Sequence, residues 1–206
     1  MIEVSVAYPK DTSYPVISSF AQAVYSHEFG AHVEPAPDVF VYATTNECMV
    51  GCLGLYQARE HEPLLFETYV PNAYGRLSGI CDGKRSMLGE LGTRVVQLSE
   101  SPKTLSGDVS LAMTALLVSV AHRAGIRYVG FTTTRLVKRI TDQLGFTLVT
   151  LGKPDLSGKD QVFRQNWEKF FRVPQICAGF HISSLTGCEM AATRLRSRGI
   201  VIRNST

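Results

Sequence analysis

Two glutamates stand where burial would make a carboxylate reactive. Glu67 follows the apolar run 64–66, and Glu90 lies between Gly89 and Gly92 in "SMLGELGTRVVQLSES". A carboxylate set into a sheet strand loses hydration, so its neutral form is favoured and its pKa rises toward that of a useful base. Such a group can bind an ammonium, deprotonate it, or both, which is the first need of acyl transfer to an amine. The second need is a set of donors for the tetrahedral oxyanion, and the backbone N–H groups around Arg94, Val96 and Gln97 are natural candidates. The plain alternative for each glutamate is an ion pair with Arg76, Arg85 or Arg94. The five histidines show no metal-ligand spacing, and the five cysteines (48, 52, 81, 177 and 188) include no Cys-x-x-Cys pair. Cys48 and Cys52 are expected to be buried as small apolar side chains, and no disulfide is expected.

The elements that must carry these residues alternate between strand and helix periodicity. Residues 2–8 alternate as a strand, and 14–30 repeat apolar residues at helical spacing up to Gly30. "VFVYATT" and "CMVGCLGLYQA" read as a hairpin turning at Asn46 and Glu47. "PLLFETYV" reads as a third strand and 86–101 as a fourth, which puts Glu67 and Glu90 on neighbouring strands. Glycines inside the fourth strand suggest a bulge or a close approach by a ligand. A long helix follows, with Asp108 as its N-cap and Gly125 as its stop. Then come a strand ending in "TTT", a basic helix stopping at Gly145, a further strand, an aromatic helical turn at 162–174, a strand, a helix capped near Ser183 and Ser184, and a short last strand. The predicted class is α/β, with a largely antiparallel first half and a helical crossover between parallel strands in the second.

Composition bounds the rest. With 206 residues, 45% of them apolar and 19% charged, the chain can bury a core as a single domain. Residues 1–152 read as that core, and 153–206 as an extension completing the sheet. No secretion signal opens the chain, no apolar run approaches bilayer-spanning length, and a cytoplasmic location is expected. The charge is uneven: residues 1–102 hold 6 basic and 12 acidic residues, the remainder 15 and 6. That polarity suggests an anionic partner for the second half.

"TTTRLVKRITDQLGF", residues 132–146, resembles the late helix of acetyltransferases of the GNAT type, with Gly145 and Phe146 in place. Thr134 stands where that pattern has Asn. Thr141 stands where it has the Tyr that serves as general acid. Three further segments, "GLYQAREHEPLLFETYV", "MLGELGTRVVQL" with Thr93 in place of an Asn, and "NWEKFFRVPQICAG", are similar to the thermostable hemolysin family, itself GNAT-like and related to the acyl-homoserine lactone synthases. The resemblance implies a mixed, mostly antiparallel central sheet whose fourth and fifth strands splay apart, flanked by helices. It implies an amide-forming acyltransferase with Glu67 and Glu90 as catalytic residues. Donor binding would fall to Arg94, Val96, Gln97, Lys103, Ser106, Gly107, Thr132, Thr134, Arg135 and Arg139, and the acceptor pocket to Tyr69 and Trp167. Tyr69, Tyr128 and Cys81 are the candidates to replace the missing acid.

The implied donor is a pantetheine thioester on an acyl-carrier protein or CoA, as co-substrate and not as a tightly bound cofactor, with a small-molecule amine as acceptor. Asp108 would place negative charge where a pyrophosphate lies, which disfavours free CoA, while the basic residues Lys103, Arg135, Lys138 and Arg139 favour a larger polyanion. Two rivals stand beside this reading: an aminoacyl-tRNA donor, and a non-catalytic module that binds an acyl chain, lipid or membrane. No role on DNA and no metal is expected.

Overall fold

A computed structural model of the chain describes residues 1–46, 48–78, 84–98, 103–133, 135–171 and 175–203. Its strands are β1 (Ile2–Ala7), β2 (Val39–Thr45), β3 (Cys48–Gln57), β4 (Leu88–Val96), β5 (Tyr128–Thr133), β6 (Leu148–Gly152), β7 (Ile176–His181) and β8 (Ile200–Ile202). Its helices are α1 (Ser13–Phe29), α2 (Leu65–Tyr69), α3 (Ala73–Ser78), α4 (Lys103–Arg123), α5 (Arg135–Gln143), α6 (Gln161–Phe171) and α7 (Thr186–Arg196). All eight strands join one sheet in the order β6-β7-β5-β4-β3-β2-β1-β8. Two neighbouring pairs are parallel, β4 with β5 and β1 with β8; the others are antiparallel. The expected class, a mixed and mostly antiparallel sheet with flanking helices, is the one observed. Strand β7 slots between β5 and β6, so the last quarter of the chain supplies an interior strand.

Helix α4 crosses from β4 to β5 and lies in the main core with α5 and α7, where Leu111, Met113, Leu116 and Leu117 are almost fully buried. By length and composition alone Leu105–Arg123 could cross a membrane, contrary to the sequence expectation, but 67% of that segment is buried inside the protein. The opposite face of the sheet is covered in pieces. Helix α1 packs on β2 and β3 in one cluster, while α2 and α3 pack near β6 and β7 in another. Gly145 ends α5 as expected: its φ of +77° lets Phe146 N–H reach the carbonyl of Thr141.

Three further expectations fail. The segment read as a third strand is the short helix α2 and pairs with nothing in the sheet. Glu67 stabilises its first turn by accepting the Leu64 N–H at 2.6 Å, and Phe66 lies so close over Gly130 that an added Cβ there would stand 2.5 Å from the ring. The apolar run is therefore buried by tertiary packing, which a short run cannot distinguish from strand pairing. Asp108 is not the cap of α4, because the helix begins at Lys103. Its carboxylate meets Arg198 at 2.9 and 3.0 Å, so its charge is already answered, and the argument it offered against free CoA lapses. Cys48 is exposed; Cys52, Cys177 and Cys188 are buried free thiols.

Candidate active site

The two parallel strands β4 and β5 part early. They pair only at Leu88 with Tyr128, Gly89 with Val129 and Glu90 with Gly130. Beyond Glu90, β4 continues to Val96 against β3, and β5 continues to Thr133 against β7. A wedge opens between them with Glu90 at its apex. Past Glu90 the β4 and β5 backbone groups that face the wedge have no ladder partner in the other strand, so side chains, water or a ligand must satisfy them. N–H groups alternate along a strand. Gln97 N–H is bound to the Val50 carbonyl at 2.8 Å, so it is spent, and by alternation the N–H of Val96 is turned away from β3.

Glu90 is 3% exposed. Its carboxylate accepts the Phe66 N–H at 3.3 Å. Burial pushes its pKa up to about 8, against the opposing pull of the Phe66 and Leu65 N–H groups, and the nearby charge of Glu67 adds to the rise. Near neutrality this group exchanges a proton readily, as a base must. Glu67 behaves otherwise. The Arg85 guanidinium clamps it with contacts of 2.9 and 2.7 Å, while it also holds the start of α2. It lines neither cavity described below, so the ion pair weighed from sequence is what the structure contains.

Past Glu90, β4 carries a bulge, with the register against β3 slipping between Cys52 and Gly54. Thr93 sits there at φ +50°, a left-handed conformation that a β-branched residue adopts at a cost of about 1–3 kcal/mol. Its hydroxyl is held by Tyr56 Oη at 2.6 Å, and its carbonyl accepts the Cys52 thiol at 3.7 Å. The Tyr56 ring packs against Gly92, where a Cβ would meet it at 3.0 Å. These contacts fix the bulge. Arg94, just beyond, donates to the Ser110 hydroxyl at 3.2 Å, and burial pulls its pKa down. No carboxylate among the described residues pairs with it.

Two cavities meet at Glu90. One, of about 240 Å³, lies in the wedge and is lined by Tyr69, Arg94, Thr132 and Val137 among others. The other, of about 400 Å³, runs toward the 33–38 loop and is lined by Tyr56, Asp38, Arg59 and Glu62. Tyr25, Leu65, Glu90, Gly92, Thr93 and Trp167 belong to both. Trp167 reaches this position from α6, with edge-on contacts to Tyr25 and Phe170 at 6.3 and 5.6 Å between ring centres. Tyr69 is 3% exposed, and its hydroxyl meets Thr132 Oγ1 at 2.5 Å. The structure thus gathers Glu90, Tyr69, Arg94, Thr132 and Trp167 around one space.

Other sequence candidates lie elsewhere. Ser106 and Gly107 are inside α4 and line neither cavity, and Arg139 is exposed on α5 away from both. Lys138 is occupied by Asp142 at 2.8 Å. Tyr128 is stacked on His181 at the closed end of the β4–β5 seam. Thr134, Cys81 and the side chains of Lys103 and Arg135 lie outside the described residues. The sequence reading missed Tyr25 and Tyr56. Tyr25 follows the apolar helix positions and Tyr56 ends a strand, and both places signal packing before chemistry.

A mixed, mostly antiparallel sheet split between two parallel strands and flanked by helices is the GNAT-like class of fold. The chain belongs to the thermostable hemolysin family, whose sequence profile matches residues 7–184. Among solved structures it is similar to the acyl-homoserine lactone synthase LasI (TM-score 0.58, 12% identity, 100% of this chain and 99% of that one). It is also similar to BjaI, a CoA-dependent acyl-homoserine lactone synthase solved with SAM and isopentyl-CoA (0.62, 14%, 100% and 95%). A third is FeeM, an N-acyl amino acid synthase from uncultured soil microbes (0.58, 12%, 90% and 93%). No curated protein matches the sequence.

Proposed function

We propose that this protein is an N-acyltransferase that joins the acyl group of a pantetheine thioester to an amine. The observation that carries the reading is the position of Glu90, buried at the wedge apex and shared by both cavities. The thioester arm enters between β4 and β5, where its amides meet unpaired backbone groups and Arg94. The amine enters from the side of the 33–38 loop, whose cavity is lined by Glu34, Asp38 and Glu62, the last two paired with Arg59. Glu90 takes the proton that the attacking nitrogen must shed.

Likeness to BjaI and FeeM supports a thioester donor and an amine acceptor as a class. With Asp108 bound by Arg198, CoA and a carrier protein are both admissible carriers of the arm. The test is incubation with a panel of acyl-CoA and acyl-carrier thioesters and primary amines, with amide products read by mass spectrometry. A new amide made by the wild-type protein is the expected result. Thioester binding with no amide from any amine would leave a binding module instead.

A further inference from the structure

A thioester that accepts an amine must also expel a thiolate, and the residue that protonates it is not Thr141. That side chain is 1% exposed, and its hydroxyl is committed to the carbonyls of Lys138 at 2.8 Å and Val137 at 3.2 Å. It lines neither cavity. On the opposite wall of the wedge the structure holds a different pair of hydroxyls. Thr132 lies on β5 two residues beyond Gly130, the partner of Glu90, at the point where the strands have separated. Tyr69 comes from α2, and its Oη meets Thr132 Oγ1 at 2.5 Å. Both line the wedge cavity together with Glu90.

We propose that Tyr69 and Thr132 form the proton relay that serves the leaving thiolate; this rests on the acyltransferase reading above. The amine lone pair forms the C–N bond at the thioester carbon, and Glu90 receives the proton the nitrogen loses. The C–S bond breaks with its electron pair on sulfur. Thr132 gives its hydroxyl proton to that sulfur, Tyr69 gives its own to Thr132, and the proton held on Glu90 returns to the Tyr69 oxygen by way of water in the cavity that both residues line. The products are an amide and a neutral thiol, and all three side chains end as they began.

The surroundings suit this path. Desolvation, with the negative charge of Glu90 next, holds the Tyr69 phenol neutral well above its usual range, so a proton is always available there and no lasting tyrosinate forms. On the far side of Thr132, the Cys177 thiol lies 3.7 Å from the hydroxyl, with burial pushing its pKa up to about 12. It remains a thiol and does not supply a competing anion. The T-shaped contact of Tyr69 with Phe171, at 5.0 Å between centroids, fixes the ring that carries the proton.

The test exploits the leaving group. Octanoyl thioesters of pantetheine and of thiophenol are compared, with hydroxylamine as acceptor and single-turnover formation of octanoyl hydroxamate as the readout. An aryl thiolate is a stable anion and departs unaided, whereas the alkyl thiolate of pantetheine needs a proton. Tyr69→Phe should slow the pantetheine thioester by about a hundredfold and the aryl thioester by less than about fivefold. Thr132→Val should reproduce that selectivity, and Thr132→Ser should restore the pantetheine rate. An equal loss on both thioesters, or no loss, would overturn the relay while leaving the acyltransferase reading standing. No enzymatic hydroxamate from either thioester in the wild-type protein would overturn both.

Discussion

The two faces of the sheet are built to different standards. Under α4, α5 and α7 the packing is continuous, and one cluster of buried side chains runs from Ile200 on β8 to Phe180 on β7. On the other face two smaller clusters, one around α1 and one around α2 and α3, leave about 240 and 400 Å³ of space between them. The packed face holds the strands in register. The hollow face uses that rigidity to keep within one site a buried carboxylate, a left-handed threonine and an arginine that has no carboxylate partner among the described residues. The lesson is a division of labour: tight packing is concentrated on one face, and the proposed chemistry lies on the face where packing is incomplete.

Substitutions on the two faces should therefore separate stability from turnover. The largest expected effect is on the hollow face. Glu90→Gln should lower acyl transfer by two to four orders of magnitude, measured as kcat/KM. The same variant should not lose stability. A carboxyl whose folded pKa is raised to about 8 favours folding at low pH, and that contribution is lost as the pH rises from the unfolded value through the folded one. At pH 9 the buried charge is a burden of a few kcal/mol at most, so Glu90→Gln should melt higher than wild type there, by calorimetry. On the packed face, Leu116→Ala should cost about 2–5 kcal/mol in denaturant unfolding with kcat nearly unchanged below the new transition.

Glu67→Gln tests the boundary between the two faces. It breaks a clamp with Arg85 that holds α2, so about 1–3 kcal/mol of stability should be lost, and kcat should fall by about tenfold or less through a displaced Tyr69. An effect on turnover as large as that of Glu90→Gln, with stability intact, would return Glu67 to the catalytic role read from the sequence. The smallest expected effect is that of Arg139→Glu. An exposed side chain remote from both cavities should leave the KM for acyl-CoA and the melting temperature within error.

Much of the scaffold was legible in the sequence because its signals are local. Gly30, Gly125 and Gly145 mark helix ends, and the strand and helix order follows hydrophobic period. Glu90 was legible too, since a carboxylate between glycines in an apolar strand has few plain explanations. What failed depended on distant partners. The clamp of Arg85 on Glu67 was not legible because the two lie 18 positions apart, and Asp108 looked like an obstacle to phosphate because Arg198 lies 90 positions away. Residues 64–69 offer too short an apolar run to reveal their period, and the ring of Phe66 over Gly130, not propensity, decides for helix. Nothing in the type of residue 93 announces a positive φ, because threonine is held there by Tyr56 against its own preference.

The central claim is that Glu90, at the opening of the β4–β5 wedge, is the base that both substrates share. Its most direct test is the pH dependence of kcat/KM for amide formation in wild type and in Glu90→Gln. A base must be ionised to act, so the wild-type rate should climb tenfold per pH unit below an apparent pKa of about 8 and level off above it. The residual rate of Glu90→Gln should lack that inflection. An inflection near 8 that survives in Glu90→Gln, at undiminished rate, would contradict the account.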